Sequence, residues 1–156
     1  MSVVVVFSLF IEVNSTCCAL PVELVNESMD FSPAELLGAV PSGADPAGFI
    51  ALYSLRSLLW GEPEKAGSRN VYHALRFKDE KGRNAAFIVD EYSSIEEAIV
   101  QSVDSYIAAL PGIQGATVRK DGSVGLVLNP DNILELAGRS QPFAYAKVRE
   151  KEKKEE

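Results

Sequence analysis

Few side chains in this 156-residue sequence have the type and spacing that do chemistry. His73 is the sole histidine and falls in a strand-like run, Tyr72-His73-Ala74-Leu75. A catalytic imidazole needs a positioned nucleophile and an orienting acid, and the sequence signals neither. A lone strand histidine reads as structural or solvent-facing. Cys17 and Cys18 are adjacent, which is awkward for a disulfide between them, and a strand would point them to opposite faces. With no further ligands nearby, they read as reduced thiols acting as small hydrophobes rather than a metal or redox pair. Asp90-Glu91 and Glu96-Glu97 are neighbouring carboxylates, useful as acid and base only where burial separates their pKa values. A strand end and a solvated face offer no such burial. Gly112-Ile113-Gln114-Gly115 lacks the Lys-Ser/Thr that follows a phosphate-cradling loop, so its glycines read as a tight bend between strands. No residue is assigned a catalytic, metal-binding or cofactor-binding role, and the chain is expected not to be an enzyme.

The bulk composition bounds the rest. Hydrophobic content of 47% and charged content of 24% are those of a globular domain able to fold without metals or disulfides. Net charge is −7, and no Lys or Arg precedes Arg56, whereas Glu12, Glu23, Glu27, Asp30, Glu35 and Asp45 do. Nucleic-acid binding needs clustered cations, so it is excluded as a function class. The opening MSVVVVFSLFIEV has no basic start, and Glu12 interrupts its apolar run. It is too short to span a bilayer, which takes roughly 20 apolar residues. It reads as the first strand of a cytoplasmic protein without membrane insertion.

The elements follow from local pattern. Val3–Val13 and Cys17–Asn26 form a hairpin about Asn14-Ser15-Thr16. Ser32-Pro33-Ala34-Glu35 has the form of a capped helix start, ending near Gly38. Pro41–Gly48 is a loop, Phe49–Tyr53 a short strand, Leu55–Trp60 a helical turn or connector, and Gly61–Ser68 a charged loop. Asn70–Phe77 and Asn84–Asp90 pair across Asp79-Glu80-Lys81-Gly82. Periodicity leaves Ser94–Val103 open between helix and strand. Thr117–Leu128 is a hairpin through Asp121-Gly122, and Pro130-Asp131-Asn132 caps a helix to about Ala137. Lys147–Glu156 has almost no apolar residues and reads as a solvated tail. Short strands separated by turns make a barrel architecture.

Several of these pieces arrive in a familiar order. Cys18-Ala19-Leu20-Pro21, Val25-Asn26-Glu27, Ser54-Leu55-Arg56, Phe87-Ile88-Val89-Asp90-Glu91 and the closing block from Gly112 to Leu128 together resemble a CheW-like domain. That module is found in bacterial chemotaxis adaptors and in the regulatory end of the CheA kinase, and the resemblance spans roughly residues 3–138. It implies a mainly β fold of two SH3-like five-stranded β-barrel lobes with short helices. Residues 1–140 would be one domain, with a lobe boundary near 61–69 and a shared first strand, and 141–156 a charged tail. It further implies a non-enzymatic scaffold, without cofactor, that couples a sensor to a histidine kinase. The expected partners are a CheA-type regulatory domain or another CheW-like domain, with the chemoreceptor's helical tip as a further possibility.

By the same resemblance Val25 and Glu27 fall on the strand that touches a partner barrel. Where the family has Asn-x-Arg-Gly, this sequence has Asp45-Pro46-Ala47-Gly48, and Asn129 replaces an Asp after the last strand; the first departure marks a divergent member with a different partner. Two other readings accompany this one. The chain could be the regulatory fragment of a larger kinase, although its charged tail favours a free-standing protein. It could also be a small-ligand-binding barrel with an inter-lobe pocket lined by Trp60, Tyr72 and Phe87.

Overall fold

The computed structural model describes residues 3–101, 111–119 and 121–148, which form ten strands in two five-stranded units. Strands β1 (Val3–Val13) and β2 (Thr16–Pro21) make the expected hairpin, with Ser8 opposite Pro21 and Val13 opposite Thr16. Asn14 and Ser15 turn it with φ of 55° and 61°, the backbone sign that two-residue hairpin turns require. Pro21 then ends the strand, because it has no N–H for a ladder. A single 3-10 turn, Val22–Leu24, redirects the chain into β3 (Val25–Phe31). The expected continuous strand from Cys17 to Asn26 is therefore two strands, and they lie in different sheets.

The first unit is a closed barrel in the order β1-β2-β9-β8-β7. It joins the N-terminal hairpin to β7 (Glu91–Gln101), β8 (Ile113–Val118) and β9 (Val124–Leu128). Closure comes from the parallel pairing of β2 with β9, Cys18 opposite Leu126. Within the described residues the ambiguous run from Ser94 is strand; Val103 lies outside them, as does Lys120 of the following turn. The second unit is a sheet in the order β10-β4-β6-β5-β3, from β4 (Phe49–Ser54), β5 (Tyr72–Phe77), β6 (Ala85–Val89) and β10 (Ala144–Lys147).

Further expectations are corrected. The chain crosses between lobes at residues 22–24, at Asp90 and after α2 (Pro130–Gly138), not at 61–69, which joins α1 (Leu55–Trp60) to β5 inside the second lobe. Both neighbours of β1 belong to the barrel, so the first strand is not divided between the lobes. Residues 144–147, expected in the tail, pair with β4 because Ala144 and Ala146 alternate inward beneath it. Tail residues 149–156 lie outside the described set. The helix expected from Ser32 is one 3-10 turn, Pro33–Glu35, held by the Glu35 carboxylate accepting from the Ser32 N–H at 2.7 Å.

Three cores result. Among the described residues the barrel interior holds one aromatic, Phe10, among small neighbours Ala19, Ala98 and Val127, and the Arg119 guanidinium closes over the Phe10 ring at 4.5 Å. The second lobe buries Phe31, Ile50, Leu52, Tyr72 and Ile88. The third and largest core lies between the lobes. Ile11, Val13, Cys18, Leu20 and Leu128 from the barrel meet Leu75, Phe77, Phe87 and Val89 from the sheet, with Leu55 of α1 and Ile133, Leu134 and Ala137 of α2 packed alongside. Phe87 is central here, stacked on Phe77 with ring centroids 4.8 Å apart and on Tyr53 at 5.8 Å.

Phe87 and Tyr72 are thus filled into separate cores, and Trp60 packs on the inter-lobe one. They do not line a shared ligand pocket. Truncation of Phe87 to Ala removes both stacks and leaves a cavity, with an expected loss of about 3–5 kcal/mol. Urea unfolding followed by fluorescence and by circular dichroism measures that loss.

Candidate functional site

The polar chemistry of this chain is concentrated where the lobes join. Asp90, between β6 and β7, accepts from the Asn14 N–H at 2.8 Å and from Arg69 at 2.7 Å. Arg69 also binds Glu64 at 2.8 Å, and Glu64 accepts from the Ser54 hydroxyl at 2.8 Å. Arg56 reaches back to the Asn14 side chain at 3.3 Å. Every acid in this chain of contacts is already paired, so it ties the hairpin turn to the second lobe and leaves no carboxylate free as a base. The other acid pair is likewise divided: Glu96 binds Arg119 at 2.7 Å, while Glu97 faces solvent.

His73 lies 2.8 Å from an Asp30 carboxylate oxygen and 4.8 Å, ring to ring, from Tyr92. Among the described residues no set of three or more His, Cys, Asp or Glu side chains could hold a metal ion. Cys17 and Cys18 are both free thiols, the first half-buried and the second buried, on opposite faces of β2.

Val25 and Glu27 lie on β3, which among the described residues pairs only with β5 and is an edge of the second sheet. A register shift separates the two residues. Val25 packs on the inter-lobe core, whereas Glu27 stands 4.0 Å from Arg76 and lines a groove of about 570 Å³. That groove runs between β3 and the end of β10, where Met29, Lys147 and Val148 also contribute. Tyr92 holds this strand in place from the other lobe. Its hydroxyl lies 3.2 Å from the Met29 carbonyl of β3 and 3.1 Å from the Ala74 carbonyl of β5. This anchor is not readable from sequence, because Tyr92 is separated from Met29 by 63 residues.

The departures from the expected motifs fill structural roles. Ser54 caps α1 by accepting from the Ser57 N–H, and Asn129 caps α2 by accepting from the Asn132 N–H. Serine and asparagine serve as N-caps about as well as aspartate. Asp45 caps the 3-10 turn Pro46–Gly48 in the same way. Gly112, at φ 82°, lets the chain pass α1: a Cβ there would stand 2.4 Å from Leu59.

The chain thus has two barrel-like lobes joined through a common core, with β3 at an edge of the second. A family model described as CheW-like domain matches residues 8–138, and the chain belongs to that family. Among solved structures it is similar to the scaffolding protein TtCheW from Thermoanaerobacter tengcongensis. The TM-score is 0.61 at 11% identity, over 90% of this chain and 99% of that one. No curated protein matches the sequence.

Burial pushes the Cys18 thiol from 9.0 up to about 12, helped by the neighbouring Cys17 and Asp90 charges. Burial, then the Asp30 carboxylate, pushes Tyr92 from 10.0 up to about 12. Both folded values lie above the unfolded ones, so their protonated forms support folding fully below pH 9, and that support is lost as pH rises toward 12. Unfolding in urea at pH 8 and at pH 11 should show lower stability at the higher pH, with a smaller drop in Cys18→Ala and Tyr92→Phe. At pH 8 a thiol reagent should modify Cys17 of the folded protein quickly and Cys18 only on unfolding.

Proposed function

We propose that this chain is a non-catalytic scaffold of a chemotaxis-type signalling system, coupling a sensor to a histidine kinase through domain–domain contacts. The observation that carries the reading is the pairing of a CheW-like two-lobe fold with a rigidly held edge strand. Membership of the family and the likeness to a scaffolding protein support the adaptor role. The partner is the regulatory domain of a CheA-type kinase or another CheW-like domain, and contact is made through Val25 and Glu27 on β3. An edge strand offers main-chain donors and acceptors as well as side chains, which suits binding without chemistry. The inter-lobe core and Tyr92 fix β3 before a partner arrives, so little ordering entropy is lost on docking.

The site of action is the cytoplasm, where such kinases work. Among the described residues no helix is long and apolar enough to cross a membrane. The receptor's helical tip is a further partner, but Asp45-Pro46-Ala47-Gly48 replaces the family's arginine-bearing motif with a capped 3-10 turn. That change favours kinase-side over receptor-side contact.

Titration calorimetry with a purified CheA-type regulatory domain tests the proposal. Micromolar binding is expected, weakened about tenfold or more by Glu27→Lys and by Val25→Ala, with the fold of each variant checked by thermal melting. No heat of binding at high micromolar concentration contradicts it.

A further inference from the structure

Glu27 of β3 and Arg76 of β5 stand directly opposite each other in the sheet, yet they do not join. Their nearest oxygen and nitrogen are 4.0 Å apart, beyond hydrogen-bond reach. The other arginine–carboxylate pairs among the described residues close to 2.6–2.8 Å: Arg69 with Glu64 and Asp90, Arg83 with Asp79, Arg119 with Glu96. Opposite residues on neighbouring strands are near enough for such a bond. A register shift separates Glu27 from Val25, and bulges of this kind re-aim the side chains beside them. The pair thus offers an acceptor and a donor side by side, 31% and 24% exposed, on the groove along β3.

We infer that this open pair receives a side-chain carboxamide, an Asn or Gln of the partner protein. This rests on β3 being the docking edge and names the chemical group that the edge recognises. Two observations select that group. The first is spacing. The oxygen and nitrogen of a carboxamide lie roughly 2.3 Å apart, from the lengths of its two amide bonds. Between groups 4.0 Å apart, the oxygen accepts from Arg76 while the NH2 donates to Glu27, each over about 2.9 Å. A carboxylate has no proton for Glu27, and an ammonium or guanidinium has no acceptor for Arg76. A main-chain peptide unit carries both groups, but its trans form points them in opposite directions. A hydroxyl makes only the two bonds of the water it displaces, and so adds no preference.

The second observation is charge. The groove is lined by Glu27 and Asp30 and by Arg76 and Lys147, so its charges balance although the chain carries −7. A neutral group that both donates and accepts keeps that balance. A charged one meets a like charge on one side.

Titration calorimetry with the CheA-type regulatory domain tests the inference and separates it from the docking reading. No binding by the unaltered chain ends both; every other outcome bears on the carboxamide alone. Affinity should change less than about twofold between roughly 0.05 and 0.5 M salt, because the recognised group is neutral. Arg76→Met and Glu27→Met should each weaken binding about tenfold. Their melting temperatures should stay close to that of the unaltered chain, since an open, partly exposed pair adds little stability. The exchange of Glu27→Arg with Arg76→Glu should restore affinity to within about threefold, because a carboxamide turns over about its last bond. In the kinase domain, one Asn or Gln changed to Ala should cost about the same tenfold, with no further loss against Arg76→Met. A loss that the exchange leaves unrepaired, binding that salt weakens about tenfold, or no Asn or Gln coupled to Arg76 would overturn the inference.

Discussion

The burial of one continuous apolar core between the lobes is the constraint on which this structure depends. Among the described residues the barrel encloses a single aromatic ring among alanines and a valine, because a barrel this narrow has room for little more. The inter-lobe core is larger than either lobe's interior and takes side chains from both units and both helices. Each lobe thus contributes several of its large apolar side chains to a core it shares with the other. The polar links follow the same seam: Asp90, Arg69 and Tyr92 each connect groups across it or beside it.

That seam also determines what the molecule can do. Titratable groups that might have served as acid and base are used up in holding lobes together, as with Asp90 and Glu64, or are separated, as with Glu96 and Glu97. What remains on the outside, among the described residues, includes the strand edge at β3 and exposed apolar side chains distributed around the barrel.

Local elements were largely legible in the sequence, because turn chemistry and alternation act over a few residues. Asn14-Ser15, Asp79–Gly82 and Asp121-Gly122 marked hairpins that the structure contains. Lobe membership was not legible. It depends on the parallel pairing of Cys18 with Leu126, residues more than a hundred apart, for which no local pattern exists. Pro21 was the one local sign that the chain leaves the barrel, and it lay inside what read as a single strand. β10 was hidden because four residues, Ala-Tyr-Ala-Lys, run directly into a charged tail. The strand carrying Val25 and Glu27 could be named from family resemblance, but its anchoring by Tyr92 needed coordinates.

If the lobes are one body, their cores must open together. Native-state hydrogen exchange reads this directly in the main-chain amides of β2, such as Leu20, and of β5, such as Leu75. The two strands belong to different sheets but contribute to the same core. A common opening free energy for both, equal to that of global unfolding, is the predicted result. Separate values, with one lobe exchanging while the other stays protected, would contradict it.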